Sequence, residues 1–488
     1  MAVSNYNIPF QWPDDVIDEA SSLSALSQDT SKDRRDLREL YFVTIDGKDA
    51  KDFDDAVYCQ PRQAGGWTLY VAIADVSHYV HVGSACDKEA QQRGNSVYFP
   101  GRVIPMLPEV LSNDLCSLRP NVDRLTMVCE MQVSQDGVLQ SAQVYSAVIH
   151  SKQRLTYSAV AEMLDHSLTP EWHEHVKHLH ALYCALSQQR LKRGALDFDT
   201  TETRIVFNGQ SKIEAIVPVT RNTAHKIIEE CMLLANVAVS QYCENKKINA
   251  VYRVHESPDA LKLKQLKDFI KLFGLRLGGG DKPSTADFSQ LLEQVSQRDD
   301  AQLLQRVILR SQQQAVYSED NSGHFGLGYE GYTHFTSPIR RYSDLVVHRA
   351  LKHLISKAAV KDFVYSSQDI VAMADHCSMT EKRADYATRE ATDRLKCDFM
   401  KDKVGGQFTG TIVDVTSFGV FVELDEYYVQ GLLHISSLAG DYYFHDELKH
   451  ALIGKHSGTA YKLMDPITVL VSRVSIEDRK IDFDLPVA

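Results

Sequence analysis

The sequence predicts an α+β protein: a core that mixes β-strands with long helices, followed by an all-β segment. Three observations point there. Apolar runs of strand length crowd the first 150 residues, with Trp67-Thr-Leu-Tyr-Val-Ala-Ile-Ala-Asp-Val76 the clearest. Between residues 171 and 401 the pattern becomes long helical stretches with readable caps. After Lys403-Val-Gly-Gly406 it returns to strands.

Taken in order, Asn7-Ile-Pro-Phe-Gln-Trp-Pro13 opens a short arm, a helix is expected near residues 14–26, and a polar linker runs to Arg38. The apolar runs at 41–45 and 56–59 read as two strands with a loop between them. Ser96-Val-Tyr-Phe-Pro100 follows a helical stretch. Residues 125–133 and 138–150 flank Asp136-Gly137, the signature of a hairpin turn. The helix expected at 171–192 stops at Gly194, which suits a left-handed cap. Asn222 caps a helix to about residue 246. Ser257-Pro258 has the form of an N-cap and first turn, opening a helix that stops at Gly274. The last long helix, 367–401, places Ile370, Met373, Ala374, Cys377, Ala384, Ala391 and Leu395 in partial helical rhythm.

Composition narrows the class. The 488 residues suffice for more than one domain, and 44% hydrophobic with 24% charged is ordinary for a soluble protein. Nine scattered cysteines without a paired CxxC exclude a zinc ribbon or disulfide framework and suit a reducing cytoplasm. No apolar run reaches the length of a membrane span, and no basic-then-apolar leader opens the chain, so no membrane partner is expected. The net charge of −12 speaks against a uniformly basic nucleic-acid binder, but says little about a local groove.

Chemistry concentrates in Thr44-Ile-Asp-Gly-Lys-Asp-Ala-Lys-Asp-Phe-Asp-Asp-Ala56, whose five carboxylates are Asp46, Asp49, Asp52, Asp54 and Asp55. Two like charges about 4 Å apart repel by roughly 4 kcal/mol at an effective dielectric near 20. A loop between two strands holds such a group of acids most readily around a cation. Oxygen-only donors favour Mg²⁺ or Mn²⁺ over zinc. A calcium loop counted from Asp52 fails, because its sixth position is Val57 and its twelfth Gln63. A solvated acidic turn competes with the metal reading and is weakened by the flanking apolar runs. A second stretch, His334-Phe-Thr-Ser-Pro-Ile-Arg-Arg-Tyr-Ser-Asp-Leu345, again carries Ser-Pro and predicts a helix from Ser337 with Arg340 and Arg341 in its first turn. Two cations there oppose the helix dipole unless an anion faces them.

The spacing of Asp46, Asp52 and the Asp54-Asp55 pair resembles the RNase II (RNB) family of 3'-to-5' exoribonucleases. The stretch 334–345, preceded by His324-Phe-Gly-Leu327, resembles that family's other signature, and the likeness runs from about residue 36 to the end. The fold implied is an RNB catalytic core of mixed β-sheet and long helices over residues 40–402, after an arm and linker at 1–39. Residues 403–488 then form an S1-type OB-fold, since Ser417-Phe-Gly-Val-Phe421 and Gly431-Leu-Leu-His-Ile-Ser-Ser437 resemble that module. Longer members of the family carry a helical region and cold-shock domains ahead of this point, and residues 1–39 resemble the exit from the last of these, so the chain resembles a short paralogue or truncated product.

The resemblance implies processive Mg²⁺-dependent hydrolysis of single-stranded RNA from a free 3' end to 5'-mononucleotides, with Mn²⁺ as a substitute and structured RNA as a second substrate. It assigns Asp46, Asp52 and Asp55 to the metal, and Asp54 and Arg340 to the chemical step. Arg341 is a phosphate contact, and Tyr98 stacks on the last bases. Phe418, Phe421 and His434 form an RNA-facing surface of the OB-fold, against the plainer reading that one of the two phenylalanines is core. Tyr252 is a further candidate on the RNA path. Asp49 is expected to be an exposed loop residue. Contacts with other RNA-decay or ribosome-associated factors fit the same picture. The competing reading is an RNA-binding paralogue with weak or lost activity; it would be favoured by loss of an acid or of Arg340, and all are present.

Overall fold

A seven-stranded mixed sheet carries the acidic loop. In spatial order its strands are Arg35–Asp36, Leu139–His150, Asp123–Val133, Trp67–Ala74, Asp55–Pro61, Val43–Asp46 and Gln153–Thr156. The two outermost pairings are parallel and the inner ones antiparallel. The structure is a computed structural model and describes residues 2–23, 33–166, 168–198, 202–210, 212–298, 300–438 and 440–486. The expected N-terminal helix is Asp14–Ser22, and the rest of the expected 14–26 span lies largely outside the described residues.

Register explains why both faces of the sheet are covered. Val57, Val71, Cys129 and Val144 stand opposite one another on one face. They pack under the helices Tyr157–His166, His173–Arg193 and Thr223–Lys246. One residue along, Ala56, Ala72, Val128 and Tyr145 line up on the other face, where alanines leave room for Met106, Leu111 and Tyr342. A strand buried on both sides loses the apolar-polar alternation of a surface strand, which is why residues 67–76 read as one continuous run. The helix Tyr342–Ile355 joins the two layers: its first ten residues are all buried, Val347, Ala350 and Leu351 on one side and Tyr342, Leu345 and Val346 on the other.

Asp75, at the end of the central strand, is fully buried between Arg34 and Lys352, each 2.7 Å away. Burial pushes its carboxyl up, but the two cations outweigh that and hold it well below the usual carboxylate range. Its contribution to stability is therefore complete above the ordinary carboxylate pKa and is lost as pH falls below about 4. Lys352→Met is expected to destabilise the fold by roughly 3 kcal/mol, because it leaves a buried charge with one cationic partner instead of two, beside the Ser77 hydroxyl that also donates to it. Urea unfolding at pH 7 checks this, and the deficit should shrink toward pH 3.

The C-terminal part is a closed barrel of Gln407–Thr416, Gly419–Leu424, Gln430–His434, Lys480–Asp484 and Pro466–Ser475, with a three-stranded sheet at 443–462 inserted before the last two strands in sequence. Val420, Val422 and Leu424 point inward and Phe421 outward, the period-2 alternation of a strand. The barrel is not an appendage. Ile412, Val420, Val469 and Phe483 belong to one apolar cluster with Leu266, Ile270, Leu304 and Ile308 of the helices Ala260–Lys271 and Ala301–Ser311. Arg306 and Arg310 donate to the Val413 carbonyl, and Arg310 also pairs with Asp414.

Two helix starts differ from expectation. Asp259, not Ser257, caps the Ala260–Lys271 helix by accepting from the Lys262 N–H. The second helix begins at Tyr342 rather than at Ser337. Residues 337–341 form a turn in which the N–H groups of Arg340 and Arg341 both bond to the Ser337 carbonyl. Arg341 is then extended (φ −135°) and bridges to Asn95, so the loop at 94–96 holds this segment out of the helix.

Candidate active site

The acids surround a pocket of about 410 Å³. Asp46 ends one strand and Asp55 begins the next, so the intervening loop must carry Asp52 and Asp54 across the edge of the sheet. Ser117 anchors this loop, accepting from the Phe53 N–H at 3.0 Å and donating to the Lys51 carbonyl at 2.7 Å. Arg154 donates to the carbonyls of Gly47 and Lys48. Asp49 lies exposed, as expected.

Asp54 is the most enclosed of the group, 4% exposed. Its Oδ1 accepts from the Ile339 N–H at 2.8 Å and its Oδ2 lies 3.5 Å from Arg340 Nε. The loop and the turn at 337–341 are thus fastened together at the residues that face the pocket. Tyr98, 45% exposed, donates its hydroxyl to Asp52 Oδ2 at 3.2 Å. The backbone of Arg340 is fixed by the Ser96 N–H at 3.0 Å.

Electrostatics favour a cation here. Burial, then Asp55 and Asp52, push the Asp46 carboxyl far above its ordinary value. Burial pushes Asp54 up as well, opposed by Arg340 and the Ile339 N–H, and Asp55 is raised by burial against the pull of Arg340. Asp46 Oδ2 and Asp54 Oδ2 are buried without a hydrogen-bond partner. The pocket lining contains no histidine or cysteine. Orphaned carboxylate oxygens and an all-oxygen donor set fit a hard divalent ion. Among the described residues no three His, Cys, Asp or Glu side chains form a ready-made ligand cluster.

Several expected residues stand elsewhere. Arg341 borders the pocket, but its guanidinium donates to Asp344 at 2.8 Å, and Asp344 is fully buried and also accepts from the Ser337 N–H. Asp344 answers part of this charge, while the guanidinium keeps a place on the pocket wall with an Nε that makes no hydrogen bond, and because Arg341 precedes the helix it does not oppose the dipole. Tyr252 is corrected: it is 6% exposed and packs in the core with Cys243 and Val254, with no free face for a base. On the barrel, Phe418 is 45% exposed and meets Phe421 edge-on at 6.1 Å, and the strand residue His434 is exposed opposite Gly419. The plainer reading of Phe418 as core therefore fails.

The pocket also contains residues with no local sequence signal. Tyr157 enters because its helix follows the strand that pairs in parallel with the strand of Asp46, and its ring stacks on His225 at 3.8 Å. Glu229 and Asn236 come from the long Thr223–Lys246 helix, and Asn236 bonds Tyr332, another wall residue, at 3.0 Å.

Comparison with known proteins fits this geometry. A family model described as the RNB domain matches residues 34–357, and one described as the S1 RNA binding domain matches 401–485. The chain is 50% identical over 500 aligned residues to Ribonuclease R of Vibrio parahaemolyticus, covering 99% of this chain and 60% of that protein's length. Its structure is similar to the apo form of Mycoplasma genitalium RNase R, with a TM-score of 0.95 and 32% identity over 99% of this chain and 77% of that one. The same Mycoplasma protein in complex with ribose-methylated single-stranded RNA gives a TM-score of 0.94 at 32% identity, with the same coverage.

Proposed function

The chain belongs to the RNB family, and from that premise we propose that it is a 3'-to-5' exoribonuclease that hydrolyses single-stranded RNA to 5'-mononucleotides. The observation that carries the proposal is the pocket at 46–55, where four carboxylates, two with buried oxygens that accept no hydrogen bond, face Arg340 across a turn that Asp54 itself fastens. The relatives compared above are named as ribonucleases, and the Mycoplasma protein has been solved with single-stranded RNA. The alternative, an RNA-binding relic, gains no support from a site in which every named acid is retained.

In this reading Asp46, Asp52 and Asp55 would hold Mg²⁺, or Mn²⁺ in its place. When bound, a divalent ion would supply an activated water and offset the charge on the leaving 3'-oxygen. The chain's own groups do the rest. Arg340, with 45% of its side chain exposed, faces the developing charge on the scissile phosphate. Tyr98 offers its ring to the terminal bases while its hydroxyl, bonded to Asp52, keeps the ring in place. Stacking on an aromatic tolerates any sequence, as a degradative enzyme requires. Among the described residues no helix is long and apolar enough to cross a membrane.

The direct test is the purified protein with RNA labelled at the 5' or the 3' end, with and without Mg²⁺. Progressive shortening of the 5'-labelled strand, and immediate release of a labelled mononucleotide from the 3'-labelled one, both dependent on Mg²⁺, are expected. An internal-cleavage ladder or metal-independent loss would overturn the proposal.

The outward-facing barrel aromatics, Phe418 exposed and Phe421 half-buried beside it, give a second expectation. Phe418→Ala and Phe421→Ala should each weaken single-strand affinity by about 1–2 kcal/mol, roughly 5- to 30-fold. Neither carries a charge to neutralise a phosphate, so the slope of affinity against salt should stay unchanged. Fluorescence anisotropy at several salt concentrations checks both parts.

A further inference from the structure

A second and much larger cavity, of about 1560 Å³, adjoins the acid pocket, and the two share Asp52 and Tyr98 as a common wall. The Tyr98–Asp52 hydrogen bond of 3.2 Å is the partition between them. The far cavity lies between the hairpin 97–104 and the hairpin 202–219, which touch where a Cβ on Gly101 would come 3.2 Å from the Phe207 ring. Its volume exceeds the 300–1,000 Å³ usual for a small-ligand site.

We propose that this cavity receives the nucleoside 5'-monophosphate released at the acid pocket and is its route out of the protein. The inference rests on the hydrolytic reading above. In a processive cycle the strand that feeds the site occupies the path by which it came, so the product needs a different mouth. The lining suits such a product. Lys51, Arg102 and Arg204 are exposed around it, and none is ion-paired among the described residues. Phe99, Phe207 and the exposed Phe10 offer apolar and aromatic surface for a base. The acids Asp49 and Glu109 also face the cavity, so the cationic character is local to the three basic residues rather than general. A lining of modest attraction fits passage, since a tight product site would slow the next cycle.

The test uses the full chain and adenosine 5'-monophosphate as probe. Arg102→Ala/Arg204→Ala should raise the dissociation constant for the monophosphate by calorimetry, and its inhibition constant against RNA hydrolysis, by at least tenfold, with RNA affinity and the first-turnover rate within twofold of the parent. Val103→Trp, at a position 47% exposed on the cavity wall, should weaken the monophosphate similarly by filling space. Unchanged monophosphate affinity in both variants would overturn the inference. So would a parallel loss of RNA affinity, which would make the cavity part of the strand's own path. If the parent protein does not hydrolyse RNA, the functional proposal fails by itself, and the calorimetric arm still decides whether the cavity binds a mononucleotide.

Discussion

Asp54→Asn is expected to slow RNA hydrolysis by at least about 10³-fold, some 4 kcal/mol of transition-state stabilisation, while RNA affinity stays within a few fold. Asparagine keeps the shape of the side chain, and its carbonyl oxygen can still accept from the Ile339 N–H, so the turn that presents Arg340 should remain seated. What disappears is a negative charge beside Asp46, Asp52 and Asp55. The same substitution has a readout that does not depend on turnover. Burial holds the Asp54 carboxyl well above its ordinary pKa, so without a divalent ion its charge is a liability to the folded state. The variant should therefore melt a few degrees higher than the parent in chelator and gain less from added Mg²⁺. Melting curves with and without Mg²⁺, next to single-turnover hydrolysis of 5'-labelled RNA, test the two halves separately. Near-normal hydrolysis would refute the proposed role of Asp54.

Arg340→Ala and Arg341→Ala, though neighbours, should fail in different ways. Arg340 sits outside the helix with nearly half of its side chain exposed and, among the described residues, no closer anion than Asp54 at 3.5 Å. Its loss should cost about 10²–10³-fold in kcat, the usual effect of removing one preorganised donor from a developing charge, with KM changed only a few fold. Arg341 is committed to the buried Asp344. Removing it leaves that carboxylate with the Ser337 N–H and the Ser343 hydroxyl alone. The expected result is a loss of about 3 kcal/mol of stability, with the rate per folded molecule largely kept. Denaturant unfolding combined with steady-state kinetics separates the two. Equal effects on rate and stability in both variants would remove the distinction.

These two arginines also show what a sequence can and cannot tell. The acidic loop was legible because its residues are close in the chain and its chemistry survives any fold. The strands flanking it were legible from apolar runs. The start of the Tyr342–Ile355 helix was not, because Ser337-Pro338 carries the local signal of a helix start and is overruled by the distant loop at 94–96, which pairs with Arg340 and Arg341. Tyr252 misled for a similar reason: its strand reads as a candidate surface until the Ser318 strand pairs with it and the ring turns into the core. Tyr157 and Glu229 escaped notice because parallel strand pairing and helix packing bring them to the pocket from 100 to 180 residues beyond the acids.

The apolar seam between the barrel and the helices at 260–311 bears on how such proteins can be recombined. Each large side chain stripped of its neighbours forfeits about 1.5–3 kcal/mol of burial, and Leu266, Ile270, Leu304 and Ile308 share a cluster with the barrel interior. A cut at the end of the Ser367–Met400 helix looks clean along the chain, yet it divides one hydrophobic unit in two. A chimera that imports only a foreign barrel should expose this seam and elute as aggregate in size-exclusion chromatography. One that imports the barrel together with residues 260–311 should elute as a single soluble species. The grafting unit for altering strand capture in this architecture is therefore discontinuous in sequence, a helical saddle with the barrel it carries.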